Sequence, residues 1–205
     1  MKIKFLSLMM AILMALSLMP AAAAAQTPDS SPFTDVKESS FYYESVLWAV
    51  ENGITTGTGN SKFAPNDFCT RAQVVTFLWR AAGCPEPTTT KCPFADVESD
   101  DYFYKAVLWA MENGITSGAT KTEFSPDAKC TRAQIVTFLH RSIGSPKPES
   151  TENPFRDLPS GEYYSEAVLW AVENGITKGT SADTFSPKAN CSRAQVVTFL
   201  YRSRN

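Results

Sequence analysis

Apolar and polar positions near the beginning of the chain follow the spacing of an amphipathic helix. Val46, Leu47 and Val50 recur on one helical face, and Gly53 follows as a stop signal. The pattern therefore predicts a first helix from Tyr43 to Asn52.

A second helix is predicted from Arg71 to about Arg80, and its start is strongly marked. Thr70 and Gln73 have the spacing of a capping box, in which each side chain bonds the backbone N–H of the other residue. Cys69 and Val74 occupy the positions of a hydrophobic staple.

The two helices and the segment between them occur three times, with a period of 61 residues. The connecting segments are rich in Gly, Asn and Ser and strand signals are weak, so we predict an all-α fold. A unit of about 60 residues is marginal by itself, so the three copies are expected to pack together as one body. The predicted units are a signal peptide at 1–25, a leader at 26–32, and repeats at 33–83, 94–144 and 155–205.

Residues 1–25 have the features of a secretory signal peptide. Lys2 and Lys4 precede an apolar run from Phe5 to Met19, and small residues follow as far as Ala25. A membrane anchor is the alternative, but the apolar run is shorter than the roughly 20 residues that span a bilayer. We therefore expect a secreted protein with no membrane span after signal removal.

The formal net charge is −2, from 19 basic and 21 acidic residues, and removal of the signal peptide makes it two units more negative. This mild acidity argues against nucleic acid and anionic membrane as partners.

Two of the five cysteines, Cys84 and Cys92, flank the linker between the first two repeats. Export permits a disulfide between them, which would contribute roughly 2–3 kcal/mol; two free thiols are the alternative. The other three, Cys69, Cys130 and Cys191, are equivalent positions without Cys-x-x-Cys spacing or a supporting histidine. They are interpreted as small apolar residues, and no metal site is predicted.

The only histidine, His140, occupies the position that Trp79 and Tyr201 fill in the other repeats. This favours a helix-face role over that of a general base. We predict no catalytic residue and no cofactor.

An arginine follows each helix cap: Arg71, Arg132 and Arg193. A cation in the first turn opposes the helix macrodipole and costs roughly 0.3–1 kcal/mol, whereas a guanidinium beside free helix N–H groups can hold a carboxylate or phosphate. The alternative is an internal ion pair with Glu51, Glu112 and Glu173 or with the acids of the opening motif. Under the ligand hypothesis, changing all three arginines to Ala should leave helicity intact.

Two further sets of equivalent residues are ambiguous. The tryptophans Trp48, Trp109 and Trp170 could fill the core or stack on a sugar ring. The glycines Gly57, Gly118 and Gly179 could provide a positive φ or let a ligand approach closely.

These residues together resemble one known family. Each repeat has an opening Phe-x-Asp, a Trp-Ala pair, a Gly-Ile-Thr-x-Gly segment, a Phe-x-Pro turn and an Arg-Ala-Gln after the cap, across residues 33–202. The chain resembles the S-layer homology domain in three tandem copies.

The resemblance implies a pseudo-threefold helical body whose inter-repeat grooves bind acidic, often pyruvylated, secondary cell wall polysaccharide attached to peptidoglycan. It implies that Arg71, Arg132 and Arg193 contribute to these grooves. Less securely, it implies that the three tryptophans and three glycines just named line them. The family's Glu after the arginine is Gln here, which preserves the capping box and removes a negative charge. Lys178 stands where the other repeats have Thr56 and Ser117, so the three sites are not expected to be equivalent.

We therefore expect a non-enzymatic, noncovalent anchor at the cell wall or cell surface. Because almost no residues remain for a cargo domain, a free-standing wall binder is the expected form. The alternative is a module or adaptor that binds other surface proteins. A hydrolase is a third hypothesis, but the recurring acids Asp35, Asp96 and Asp157 are better explained as local caps.

Overall fold

The computed structural model describes residues 31–204, so the predicted signal peptide lies outside the described residues. The described chain forms six α-helices, two in each repeat. They are α1 (Tyr43–Glu51), α2 (Arg71–Ala81), α3 (Tyr104–Glu112), α4 (Arg132–Ser142), α5 (Ser165–Glu173) and α6 (Arg193–Arg202). Extended pairing among these residues is limited to isolated bridges. The all-α prediction is confirmed, and the predicted bounds in the first repeat differ from the observed ones by about one residue.

The three long helices begin at complete capping boxes. The side chain of Thr70 accepts from the backbone N–H of Gln73, and the Gln73 side chain accepts from the backbone N–H of Thr70. The same reciprocal pair occurs at the starts of α4 and α6. Each cap satisfies two backbone donors that the helix leaves free. It therefore fixes the start of the helix, and the arginine is the first helical residue.

Helices α2, α4 and α6 contact one another at the centre of the molecule, one from each repeat. Their facing side chains, such as Val74, Phe77 and Leu78 of α2, are buried in a core that all three repeats share. Each repeat thus covers the apolar face of its neighbours, as expected for units that are marginal alone.

The outer helices join the repeats in a closed ring. Helix α3 packs against α2, α5 against α4, and α1 against α6, so the first repeat returns to the third. Aromatic pairs lie in two of these contacts, with ring centroids 5.6 Å apart for Trp48 and Tyr201 and 5.2 Å apart for His140 and Trp170. The closure makes the three repeats one pseudo-threefold body.

The three repeat cysteines surround the pseudo-threefold axis. Backbone N–H groups of Cys69, Cys130 and Cys191 each donate to the carbonyl of another member of the trio, at 2.9–3.0 Å. All three side chains are fully buried. Burial raises the pKa of Cys69 and Cys191 to about 12 and also raises that of Cys130. The thiols therefore stay protonated and pack as small apolar groups.

The acid of each opening motif caps the turn that precedes the long helix. The carboxylate of Asp35 accepts from the N–H groups of Phe63 and Ala64, both at 2.9 Å, and Asp96 and Asp157 do the same in their repeats. Burial acts to raise the pKa of Asp35, but these N–H groups hold it below its usual value. The local-cap interpretation of these acids is consistent with this geometry.

The linkers are held against the helices of the following repeat. Glu112 accepts from Thr88 and Thr89, and Glu173 accepts from the N–H groups of Glu149 and Ser150. In the first linker Cys84 is an exposed thiol and Cys92 a half-buried one. The bridge between them is not formed in the structure and stays a prediction.

Candidate functional site

The arginines that follow the caps are almost completely buried. Arg71, Arg132 and Arg193 are only 3–4% exposed. Each side chain reaches into the next repeat around the ring, because the long helix starts where two repeats meet.

Each guanidinium is held by the neighbouring repeat through its Nε and its flat face. The Nε of Arg193 donates to the backbone carbonyl of Phe63 at 2.9 Å, and the guanidinium lies 5.0 Å from the ring centre of Phe63 and 5.4 Å from that of Phe77. Arg71 and Arg132 make the equivalent contacts. A charged hydrogen bond and a buried cation–π contact together stabilise each junction by roughly 3–5 kcal/mol. These contacts argue against the expectation that replacing all three arginines with Ala leaves helicity intact, and that expectation stays a prediction.

The internal ion pair is not what the structure contains. Among residues 31–204 the ion pairs are Lys105 with Glu86 and Arg156 with Asp183, and neither includes a buried arginine. Glu112 and Glu173 instead hold the linkers described above. The three guanidinium groups are thus buried without a carboxylate partner.

The helix N-terminus is not free to hold an anion, contrary to the sequence argument. The N–H of Arg71 donates to the carbonyl of Ala128 at 2.9 Å, and the N–H of Ala72 donates to that of Pro126 at 3.0 Å. The neighbouring repeat therefore occupies donors that local sequence leaves open. Any anion at this site must be held by side chains.

One donor of the buried arginines remains open in two of the three repeats. The Nη2 of Arg71 and that of Arg193 are buried and have no hydrogen-bond partner among the described residues, whereas the Nη2 of Arg132 donates to the hydroxyl of Thr177 at 3.3 Å. A buried donor without a partner costs roughly 1–3 kcal/mol. Both Nη2 atoms are also shielded from solvent, so a ligand oxygen could bond them only if the surrounding side chains moved.

Arg193 lines a groove between repeats, which we call groove A. The groove has a volume of about 370 Å³. Its lining comes from all three repeats: Thr55, Thr56, Gly57, Thr58, Gln73, Thr76, Phe77 and Arg80 from the first, Tyr102 from the second and Arg193 from the third. The lining therefore combines two arginines with hydroxyl groups, one amide and an aromatic ring.

The second arginine of the groove was not identified from the sequence. Arg80 lies in the last turn of α2, is half-buried, and donates from Nη1 to the carbonyl of Ile54 at 3.0 Å. Arg141 and Arg202 occupy the equivalent positions and make the equivalent bond. The 61-residue period contained this signal, but a cation at a helix C-terminus is so common that it did not stand out.

The threefold relation places equivalent residues at the other two junctions between repeats, which we call groove B and groove C. Groove B contains Arg71, Arg141 and Tyr163. Burial raises the pKa of Tyr163, and the nearby charges of Arg141 and Arg71 act to lower it. Groove C contains Arg132 and Arg202, with Phe41 at the position of the tyrosine. Tyr102, Tyr163 and Phe41 are exposed. They too were missed in the sequence, because one of the three copies is a different residue.

The predicted glycines lie at the grooves, and their main role is packing. Gly57 has φ +85°, and a Cβ on it would lie 2.5 Å from the ring of Phe33. Gly118 and Gly179 meet Phe94 and Phe155 in the same way. Gly57 also lines groove A, so both interpretations of this residue are compatible with the geometry.

The predicted tryptophans lie in the contacts between outer and central helices. Trp109 and Trp170 are buried, which favours the core-packing alternative over sugar stacking for these two. Trp48 is half-buried against Tyr201. The aromatic residue that the structure places in groove A is Tyr102.

A family model for the S-layer homology domain matches residues 32–75, 93–136 and 154–197, which together make up more than half of the chain. The chain belongs to the S-layer homology domain family. Each match begins at the opening aromatic motif of one repeat and ends within its long helix. The three matches keep the 61-residue period.

The chain is also similar in sequence to parts of several larger proteins. It is 31% identical to an endoglucanase of Bacillus sp. (strain KSM-635) over 96% of the chain and 22% of that protein. It is 28% identical to the surface-layer 125 kDa protein of Lysinibacillus sphaericus over 94% of the chain and 16% of that protein. It is 25% identical to the cellulosome-anchoring protein of Acetivibrio thermocellus over 69% of the chain and 33% of that protein. The chain thus spans a third or less of the length of these relatives.

Domains of this family anchor S-layer and other cell-surface proteins to the cell wall. This places the chain among proteins of the cell surface. Within residues 31–204, no helix has the length and apolar character needed to cross a membrane.

Proposed function

We propose that the three S-layer homology repeats form a noncovalent, non-enzymatic cell wall anchor. The ligand is an acidic secondary wall polysaccharide attached to peptidoglycan, including sugars that carry a pyruvate ketal, and it binds in the grooves between repeats. The observation that carries the proposal is groove A, whose lining contains Arg193 and Arg80 and no acidic residue.

The charge of groove A suits a ligand with a carboxylate. Arg193 and Arg80 both line it, and the residues of its lining include no acid. A guanidinium presents a planar fork of donors that matches the two oxygens of a carboxylate. Since part of Arg193 is already bonded to the fold, it offers a pre-positioned donor whose side-chain entropy was lost on folding.

The rest of groove A suits the neutral part of a sugar. Hydroxyl groups of Thr55, Thr56 and Thr58 and the amide of Gln73 can bond sugar hydroxyls, and the exposed ring of Tyr102 offers a flat apolar face. The groove volume lies at the lower end of the range typical of small-ligand sites. One or two sugar units are therefore the scale of ligand that we propose.

The lining also supports binding without catalysis. Glycoside hydrolysis uses a pair of carboxyl groups on either side of the scissile bond. The lining of groove A contains no carboxyl group, and the repeated acids Asp35, Asp96 and Asp157 bond the backbone of their own repeats. We propose that the chain retains the glycan and does not cleave it.

A module that binds other surface proteins is the second candidate. It is favoured by the exposed aromatic side chains Phe41, Phe68, Tyr102 and Tyr163. The two candidates differ in whether the wall glycan is needed for binding.

Co-sedimentation with protein-free wall sacculi tests the proposal. The protein should pellet with intact sacculi, and acid extraction of the secondary polysaccharide should abolish pelleting. Increasing salt should release the protein, because the proposed contacts are electrostatic. Retention that does not change after extraction would contradict the glycan proposal and favour a protein or peptidoglycan partner.

A charge-matched pair of variants makes the test specific to the grooves. Changing Arg80, Arg141 and Arg202 to Gln should release the protein from intact sacculi. Changing Lys91, Lys147 and Lys188 to Gln removes the same charge at exposed positions outside the lining of groove A, and should leave retention unchanged.

A further inference from the structure

The third repeat has a small cleft between the second linker and α5, which we call the outer cleft. Six residues line it, three from the linker and three from one face of the helix: Ser150, Glu152, Pro154, Leu169, Val172 and Glu173. None of them lines groove A or stands at an equivalent position in the other two grooves. The cleft has a volume of about 290 Å³, just below the range typical of small-ligand sites, so it suits one or two side chains of a partner.

Comparison with the second repeat explains why this cleft is open. At the equivalent place Tyr104 extends from α3 to the first linker, where its hydroxyl donates to the carbonyl of Thr90 at 2.9 Å. The third repeat has Ser165 at the position of the tyrosine. The hydroxyl of Ser165 donates instead to the carbonyl of Pro159 at 2.8 Å. The third repeat therefore has no ring that closes the space between helix and linker.

A second substitution removes volume from the same helical face. Met111 of α3 corresponds to the smaller Val172 of α5. Leu108 is only 1% exposed in the second repeat, whereas the equivalent Leu169 is half-buried. Apolar surface that the second repeat covers with its own side chains is thus accessible in the third. Covering that surface with a partner's side chain would be favourable.

The charges beside the cleft are the reverse of those in the second repeat. Lys91 and Lys105 correspond to Glu152 and Glu166 in the third repeat. Glu166 lies three residues before Leu169 and therefore on the same face of α5. Both glutamates are exposed, and neither belongs to an ion pair among residues 31–204. Two carboxylates thus lie beside the cleft without a cation as partner.

The wider surroundings of the cleft are also acidic. Residues 143–154 of the second linker and α5 together contain four acids and one cation, Lys147. Residues 82–93 and α3, the equivalent segments of the second repeat, contain two of each. The cleft therefore combines an apolar floor with a negative surface, and the charge complementary to it is positive.

We propose that the outer cleft docks a basic segment of a partner protein. One apolar side chain of the segment packs against Leu169 and Val172, and lysine or arginine residues on either side of it meet Glu152 and Glu166. Apolar burial supplies most of the affinity, whereas the exposed ion pairs mainly select the sign of the partner's charge. Because the cleft shares no residue with the grooves, the proposal is independent of glycan binding.

NMR titration of the exported chain, residues 26–205, with three synthetic peptides tests the proposal. The first probe is acetyl-Lys-Lys-Leu-Lys-Lys-amide, the second has Ser in place of Leu, and the third has Glu in place of every Lys. The first probe should shift backbone amides in 149–154 and 165–173, and should leave the equivalent segments 88–93 and 104–112 unchanged. The serine probe should bind at least about tenfold more weakly, and the glutamate probe should not bind.

Two double variants give the third repeat residues that the second repeat already holds at the same positions. Ser165→Tyr/Val172→Met should fill the cleft and weaken binding of the first probe by about tenfold or more. Glu152→Lys/Glu166→Lys should reverse the charge and make the glutamate probe the better ligand of the two. The amide spectrum of each variant also reports whether the chain is folded.

Glu38→Lys/Glu98→Lys is the charge-matched control, since both acids are exposed and lie outside the cleft. It should leave the affinity for the first probe within about threefold of the unaltered chain. Equal binding of the leucine and serine probes, shifts confined to groove residues, undiminished binding to the filled cleft, or no shifts at all would overturn the proposal. Co-sedimentation with sacculi tests the glycan proposal separately, and every folded variant should still pellet.

Discussion

The buried junctions between repeats and the grooves that adjoin them use arginine in opposite ways. At the junction, Arg193 is 3% exposed, bonds a backbone carbonyl and lies over two phenylalanine rings. In the groove, Arg80 is half-buried and lies beside Tyr102. Both arginines recur with the same period and both line groove A, so recurrence alone does not show that Arg193 also holds two repeats together whereas Arg80 lies mainly in the groove. Burial and bonding partners separate them.

The largest effect that this comparison predicts is on folding. Arg193→Ala should lower the free energy of unfolding by about 3–5 kcal/mol, since it removes a charged hydrogen bond and two cation–π contacts and leaves the carbonyl of Phe63 without its partner. Arg80→Gln should cost about 1 kcal/mol, because it removes one half-buried bond. Urea unfolding followed by circular dichroism measures both. Equal losses would mean that the two regions do not differ as described.

The junction also depends on close packing at Gly57. Gly57→Ala should destabilise the protein by about 2–4 kcal/mol, because the new Cβ meets the ring of Phe33 in a backbone conformation that disfavours a side chain. Gly53→Ala is the control: it shares a positive φ of +66° but has no atom within 4 Å of its added Cβ, so about 1 kcal/mol is expected. Comparing the thermal unfolding of the two variants separates the cost of a side chain at positive φ from the cost of its overlap with Phe33. If Gly57→Ala were as stable as Gly53→Ala, the ring of Phe33 would have to move to make room for the new Cβ.

The two linkers have a similar backbone, but only the first contains a pair of cysteines. Cys84 and Cys92 stand where the second linker has Ser145 and Asn153, and Cys84 and Ser145 share a φ near +55°. If the predicted bridge forms on export, oxidation should raise stability by roughly 2–3 kcal/mol. The Cys84→Ser/Cys92→Asn variant should not respond to oxidant. Thiol titration of the unfolded, unreduced protein should find three thiols, and a count of five would disprove the bridge.

The smallest predicted effect concerns pH. Because the folded-state pKa of Asp35 is lowered, its contribution is present above the usual pKa of an aspartate and is lost as the pH falls through the folded value. Asp35→Asn should cost about 1 kcal/mol at pH 7 and almost nothing near pH 2. Stability measured across this range tests the sign. A cost that grows on acidification would contradict it.

Local sequence predicted the local structure well. The capping boxes, the helix bounds and the packing of three repeats as one body all follow from periodicity and cap chemistry. These features depend on residues a few positions apart, or on a period that the whole chain repeats. A single sequence contains that information.

The state of the first-turn arginines could not be predicted in the same way. Local sequence leaves the N–H groups at the helix start free, but in α2 they bond the carbonyls of Pro126 and Ala128, more than 50 residues away. The same long-range contact buries the guanidinium against Phe124 and Phe138. What remained of the anion hypothesis was the position of Arg193 in groove A with Arg80, which depends on how two repeats meet.

The groove residues were missed for a different reason. Arg80 recurs perfectly but looks ordinary at a helix C-terminus, and Tyr102 and Tyr163 do not recur because the first repeat has Phe41. A search for residues that recur in all three repeats therefore favours those that hold the repeats together.

The central claim is that the grooves recognise the negative charge of the wall polysaccharide. The most direct measurement compares binding of the protein to the purified polysaccharide before and after its carboxyl groups are chemically reduced to alcohols, which keeps the sugar chain and removes the charge. We predict that the native polymer binds in a salt-sensitive manner and that the reduced polymer does not bind. Equal affinity for the two polymers would contradict the account.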